Sequence, residues 1–302
     1  AENQRKLSTR FAELVDLITE ASYWAAKNHK KYVEVDDVEL AIKKKRYRVN
    51  LTEEKFQELF AEGVFLIDIE GKRIGQVNAL SVIELGDYTF GKPVRVTARV
   101  GVGKKGIINI EREVELSGPI HSKGVLILGG YLTGKYGHDK DLSLVATLCF
   151  EQLYEEIEGD SASSAELYAL ISSIARIPLR QDIAVTGSVN QIGEIQPVGG
   201  LNEKIEGFFE LCKRKGLNGQ GVIIPRRNLQ NLMLNEELRT AVKEGKFHVY
   251  AIDHIEEGLE ILTGMKAGKL TKTGRYPQGT INYLVDKRLR EMAQIMKKTG
   301  GE

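Results

Sequence analysis

A serine and a lysine set 43 positions apart are the residues of this chain whose settings best suit chemistry. The serine lies in Glu158-Gly159-Asp160-Ser161-Ala162-Ser163, at the mouth of a run of good helix formers. The lysine closes Gly199-Gly200-Leu201-Asn202-Glu203-Lys204. A hydroxyl beside a neutral amine can open an amide bond without histidine. The amine takes the hydroxyl proton, and the free N–H groups of a helix start hold the developing oxyanion.

Each segment also has an ordinary explanation. Asp160, Ser161 and Ser163 are all good helix caps, and Ser163 with Glu166 fits a capping box. Most helical lysines are solvated surface charges. Against that, Leu201, Ile205, Phe208 and Phe209 give the Lys204 helix a buried face, and Gly199-Gly200 permits close backbone approach. A buried lysine loses its proton more easily, as a base must.

The elements that would position these groups follow from periodicity. Apolar residues at helical spacing predict helices over 5–27, with Ser8 or Thr9 at the start, from Asp36 to about Lys45, and over 52–62. Strands are expected at 64–69, 74–84, 94–100, 107–116 and 142–153, with a helix after Pro119. Beyond Ser161 the pattern gives helix 162–175, strands 182–187 and 192–198, and helix 201–215. Strand 221–225, helix 228–243, strand 247–251 and helices 254–262 and 281–297 complete it. Strands first, then alternating helices and strands, indicate a mixed α/β (α+β) domain behind an all-helical N-terminal segment. The stretch around Tyr276-Pro277-Gln278-Gly279-Thr280 has no physical reading of its own.

Composition narrows the partners. The 302 residues are 42% hydrophobic and 28% charged, with a net charge of +1, which favours neither nucleic acid nor an anionic membrane. Cys149 and Cys212 sit in apolar patterns and read as small hydrophobes in a reducing compartment. His29, His121, His138, His248 and His254 show no metal-ligand spacing, so no metal is expected. With no signal peptide and no long apolar run, the expected location is the cytoplasm.

Two glycine motifs are set aside. Gly101-Val102-Gly103-Lys104-Lys105-Gly106 has dinucleotide-fingerprint spacing, but Ile107 to Glu111 alternate like a strand, so a hairpin turn is expected there. Gly129 to Lys135 matches a phosphate loop, but Tyr136 stands where serine or threonine must reach magnesium, and the residues before it read as the same helix. ATP hydrolysis by this chain is not expected.

Three segments together, Glu158 to Ser163, Thr186-Gly187-Ser188, and Pro197-Val198-Gly199-Gly200-Leu201-Asn202-Glu203-Lys204, resemble the proteolytic domain of the Lon protease family. Glu-Gly-Asp-Ser, in place of Gly-Pro-Ser, is similar to its B-type branch. Gly75-Gln76-Val77-Asn78, Leu85-Gly86-Asp87-Tyr88 and Glu113 to Gly124 resemble a subgroup of Lon-like proteases with an unusual ATPase module. The resemblance covers roughly residues 64 to 265. It implies that Ser161 is the nucleophile, Lys204 the general base, and Thr186 a residue that hydrogen-bonds and orients Lys204. It implies an oxyanion site at the N–H groups of Ser161 and neighbours such as Ala162, with Glu158 and Asp160 lining the site. Asp160 could equally cap the helix or hold Lys204 charged.

The first helices resemble the end of an AAA+ lid domain, which makes Arg10 a candidate nucleotide sensor; an exposed helical arginine is the ordinary alternative. The implied division is a lid remnant over 1–62, a Lon-type serine–lysine protease domain over 63–265 and a C-terminal extension with a helix over 266–302. The resemblance further implies unfolded polypeptide substrates and a six-fold ring of identical chains. ATP and magnesium would belong to an ATPase part that this fragment lacks. The rival expectation is a non-catalytic, ring-forming scaffold or regulatory domain of the same fold.

Overall fold

A computed structural model describes residues 3–86 and 88–299. Asp87 of the Leu85–Tyr88 motif and the ends of the expected N- and C-terminal segments lie outside the described residues. Three helices come first, α1 (Phe11–Lys27), α2 (Val35–Val49) and α3 (Leu51–Ala61). Then follow β1 (Lys72–Arg73), β2 (Gln76–Leu85), β3 (Tyr88–Val102), β4 (Gly106–Asn109), α4 (Ile110–Glu113), α5 (Pro119–Tyr136), β5 (Leu144–Glu151) and α6 (Ser163–Ala175). Short strands β6 (Leu179–Arg180), β7 (Ile183–Val185), β8 (Ser188–Val189) and β9 (Ile195–Gln196) lead to α7 (Leu201–Lys215) and β10 (Gln220–Pro225). A 3-10 turn over Arg226–Asn231, α8 (Glu236–Lys243), β11 (Phe247–Ile252), α9 (Ile255–Thr263) and α10 (Ile281–Thr299) complete the order.

The main sheet has seven strands in the order β11-β10-β7-β2-β3-β5-β4. Strands β11, β10, β7 and β2 run parallel, and β3 is antiparallel to both β2 and β5. Alternation along the strands divides the core. Ile183, Val185 and Ile223 face a layer built from α5, α6, α9 and α10, while Ala184, Val222 and Ile224 face α3, α7 and α8. This is the period-two pattern of a sheet covered on both sides. Helix α6 is buried along most of its length, and the turn before it is partly buried, with Glu158 exposed. Both cysteines are free thiols, Cys212 buried and Cys149 partly so. Among the described residues no helix is long and apolar enough to cross a membrane.

Several expected elements differ. Residues 64–69 form no strand: the Gln152 side-chain amide satisfies the Val64 carbonyl (2.9 Å) and the Leu66 N–H (2.7 Å), while Ile67 and Ile69 enter the core. The strand expected over 107–116 stops at Asn109, whose side chain accepts the Glu111 N–H at 3.1 Å and starts α4. No hairpin joins the strands around Gly101–Gly106, because β4 pairs parallel with β5 on the side away from β3. Helix α2 starts at Val35 with Glu34 as its N-cap rather than at Asp36, and the Asp37 carboxylate accepts the Glu34 N–H at 3.0 Å. The single helix expected over 228–243 is broken, and Asn235 caps α8 by accepting the Leu238 N–H at 2.9 Å. Gly129–Lys135 lies inside α5, where its N–H groups are committed to helix bonds and cannot cradle a phosphate.

Candidate active site

Ser161 occupies the turn that opens α6, with Ala162 as the N-cap residue. Gly159 makes the turn possible by adopting φ +87°, a left-handed conformation costly for a residue with a Cβ. The turn is pinned by backbone. The Ser161 carbonyl accepts the Gly187 N–H at 2.8 Å, and the Ser164 N–H returns to the Gly187 carbonyl at 3.1 Å. Thr186 adds a third tie, its hydroxyl donating to the Ser161 carbonyl at 3.4 Å. Among the described residues the N–H groups of Ser161 and Ala162 have no acceptor within the chain. They are unspent donors at a helix start, which is what an oxyanion site needs.

Lys204 comes from the first turn of α7. Gly200, the N-cap, sits at φ +62°, and a Cβ there would meet Val82 at 2.8 Å. One turn on, α7 rests directly on β3 through Gly207 and Gly91. This backbone-to-backbone contact sets the depth at which α7 delivers its lysine. Lys204 is 3% exposed, and its Nζ lies 3.0 Å from Ser161 Oγ. Burial brings the amine down from 10.5 to about 8, although the charges of Asp160 and Glu203 oppose the fall. Desolvation therefore outweighs the nearby carboxylates.

The other expected site residues lie around this pair, with some roles changed. Thr186 is buried, but its hydroxyl goes to the Ser161 carbonyl and makes no bond to Lys204; the tie expected to orient the amine instead orients the serine turn. Asp160 does not cap α6 with its side chain: Oδ2 accepts the Ser188 hydroxyl at 2.7 Å, and its charge acts on Lys204. Glu158 lines the cleft and accepts the Ile120 N–H at 3.2 Å, so it caps the start of α5. The capping box expected from Ser163 and Glu166 does not form. Ser163 Oγ accepts the Val189 N–H at 3.0 Å, and buried Glu166 lies 3.4 Å from His121. Arg10 stands at the start of α1 as an exposed side chain paired with Glu13 at 3.2 Å, and brings nothing to this site.

Ser161 and Lys204 open onto a cavity of about 150 Å³ whose walls include β2 residues Ala79–Ile83, Val94, Phe150 and the Glu155–Ala162 turn. A larger cavity of about 420 Å³ lies between α1, α2 and the β3–α7 contact, and neither Ser161 nor Lys204 lines it. Sequence reasoning missed the Gly91–Gly207 contact, the hold of Gly187 on the serine turn and the inward-facing Lys92. Two glycines in otherwise regular elements, and one lysine in an apolar strand, were the available signals.

Residues 156–264 match a family model described as the Lon protease (S16) C-terminal proteolytic domain, and residues 1–48 match the archaeal LonB AAA+ ATPase lid domain. The chain is 45% identical over 233 residues to a putative Lon protease homolog of Escherichia coli, covering 76% of this chain and 40% of that protein. A second putative Lon protease homolog, from Haemophilus influenzae, is 39% identical over 252 residues, with 82% and 42% covered. The archaeal Lon protease of Thermococcus kodakarensis is 31% identical over 258 residues, with 84% and 38% covered. The chain thus spans about two-fifths of the length of these curated relatives.

Proposed function

The chain belongs to the Lon protease family, and on that premise we propose that it is the serine–lysine peptidase part of a Lon-like protease, with Ser161 as nucleophile and Lys204 as general base. The observation that carries this reading is the 3.0 Å contact between Ser161 Oγ and an amine whose pKa burial has brought to about 8. At neutral to mildly alkaline pH a useful share of that amine is neutral and can take the serine proton.

As Oγ attacks a peptide carbonyl, its proton passes to Lys204 Nζ. The carbonyl oxygen, now an oxyanion, enters the site formed by the Ser161 and Ala162 N–H groups. Lysine-borne ammonium then protonates the departing amine, leaving an acyl-serine. Water replaces the amine and attacks the acyl carbonyl as its proton passes to Nζ; Nζ then returns that proton to Ser161 Oγ as the ester bond breaks and the acid leaves. Every step uses the same donor–acceptor pair. The Gly187 and Thr186 ties keep the serine turn in place throughout, and the Gly91–Gly207 contact keeps Lys204 from withdrawing.

The wider reading follows the family: loosely folded polypeptide as substrate and a ring of identical chains as the working form. Within this proposal the chain divides into a lid-like helical segment (1–62), a protease domain (63–265) and a helix-bearing segment (266–302). We assign ATP and magnesium to an ATPase module of a longer protein. The lid match supports this, as does the helical winding of Gly129–Lys135, which does not fit a triphosphate.

The test is cleavage of casein and of fluorogenic peptides by the intact chain and by Ser161→Ala and Lys204→Ala. Each substitution is expected to abolish turnover; retained turnover in either would refute the assignment.

A further inference from the structure

The face of β3 that looks toward Ser161 carries one lysine among apolar residues. Antiparallel register sets Phe90 opposite Ile83, Lys92 opposite Ser81 and Val94 opposite Ala79, so these side chains share a face. Lys92 is 7% exposed. Its Nζ sits 4.5 Å from the centroid of the Phe56 ring, and among the described residues no carboxylate or carbonyl accepts a bond from it. The side chain lines the same cavity as Ser161 and Lys204.

An ammonium withdrawn from water is costly without an anion, and an aromatic face offsets only part of that cost. The charged groups that share its cavity are Lys204, Glu155, Glu156 and Glu158; none hydrogen-bonds to it, and Glu155 is the carboxylate whose charge acts on it. Burial still holds the Lys92 amine below its ordinary pKa, so Glu155 offsets only part of the cost. Lys204 has the serine as its hydrogen-bond partner; among the described residues Lys92 has no hydrogen-bond or ion-pair partner.

We propose that Lys92 is the anchor of a substrate subsite that takes a carboxylate of the polypeptide, from an Asp or Glu side chain near the scissile bond or from the chain's C-terminus. The subsite rests on the peptidase reading above. A carboxylate entering the cavity satisfies the amine with a charge-assisted bond, and a neutral isostere leaves it bare. The discrimination expected between acid and amide is about tenfold.

The test measures binding in the intact chain carrying Ser161→Ala, so that no peptide is consumed. Labelled peptide pairs differ by Glu against Gln at each position in turn, and each is made with a free and an amidated C-terminus. One Glu position, or the free terminus, should bind about tenfold tighter than its neutral twin. Which arm responds identifies the source of the carboxylate. Lys92→Met should erase the difference and Lys92→Arg should keep it, with thermal melting confirming that each variant is folded. Equal binding of acid and neutral twins, or a preference that survives Lys92→Met, overturns the proposal. Cleavage by the unsubstituted chain is scored separately, so failure of the peptidase reading and failure of this subsite are told apart.

Discussion

Gly207 of α7 backs onto Gly91 of β3 so closely that a Cβ at Gly207 would lie 2.0 Å from the Gly91 carbonyl oxygen. In return, a Cβ at Gly91 would lie 2.1 Å from the Glu203 carbonyl, one residue before Lys204. Two missing side chains therefore fix the distance between the helix that carries the amine and the sheet beside the serine. Gly207→Ala has no flexible neighbour to push aside, only backbone. We predict a loss of about 1–3 kcal/mol in stability. We also predict a fall in kcat/KM larger than the fraction of unfolded protein explains, because Lys204 Nζ is drawn away from Ser161 Oγ. Denaturant titration and peptide turnover on the same preparation check both; unchanged turnover would show that the contact does not govern the amine.

Thr186 offers a cleaner separation of roles. Its hydroxyl holds the Ser161 carbonyl at 3.4 Å and makes no bond to Lys204. Thr186→Val keeps the buried volume and removes that tie. The expected result is a fall of about three- to tenfold in kcat, the scale of one modest hydrogen bond, with the pH at which activity rises left in place. A shifted pH midpoint would mean that Thr186 acts on the amine after all.

Much of this was legible in the sequence where local chemistry decides. Helix α7 runs over Leu201–Lys215 as its apolar stripe indicated, between Gly200 and Gly216. The Ser161 turn was visible as a helix opening. What could not be read were ties between distant segments. Gly187 reaches Ser161 across 26 positions, and Gln152 occupies the backbone groups that would have made 64–69 a strand. The β3–β4 connection failed for the same reason: a turn between two strand-like runs indicates a hairpin, but only the sheet shows β5 lying between them. Lys92 was passed over because the expected strand began at 94, whereas β3 begins at Tyr88 and carries Lys92 into the fold.

The buried lysine has a thermodynamic consequence. Unfolded, it titrates near its ordinary 10.5; folded, burial brings it to about 8. Between those values the unfolded chain holds a proton that the folded chain lacks. The folded state is therefore favoured as pH climbs through that window, and the penalty is complete below about 8. Lys204→Met removes the penalty, so the variant should be more stable at pH 7 by on the order of 1–3 kcal/mol, while losing activity. Denaturant midpoints at pH 7 and pH 10 check it. A variant no more stable than the parent at pH 7 would indicate that the lysine stays charged in the fold.

The most direct measurement is the rate at which a stoichiometric serine-directed probe acylates Ser161 as a function of pH, in the parent chain and in Asp160→Asn. The rate should climb through about pH 8, where Lys204 gives up its proton, and level off above it. Asp160→Asn keeps the acceptor for Ser188 but removes a charge that holds the lysine proton, so the rise should move to lower pH. A rate that stays flat from mildly acidic to alkaline pH, or labelling at a residue other than Ser161, would contradict the pairing of this hydroxyl with this amine.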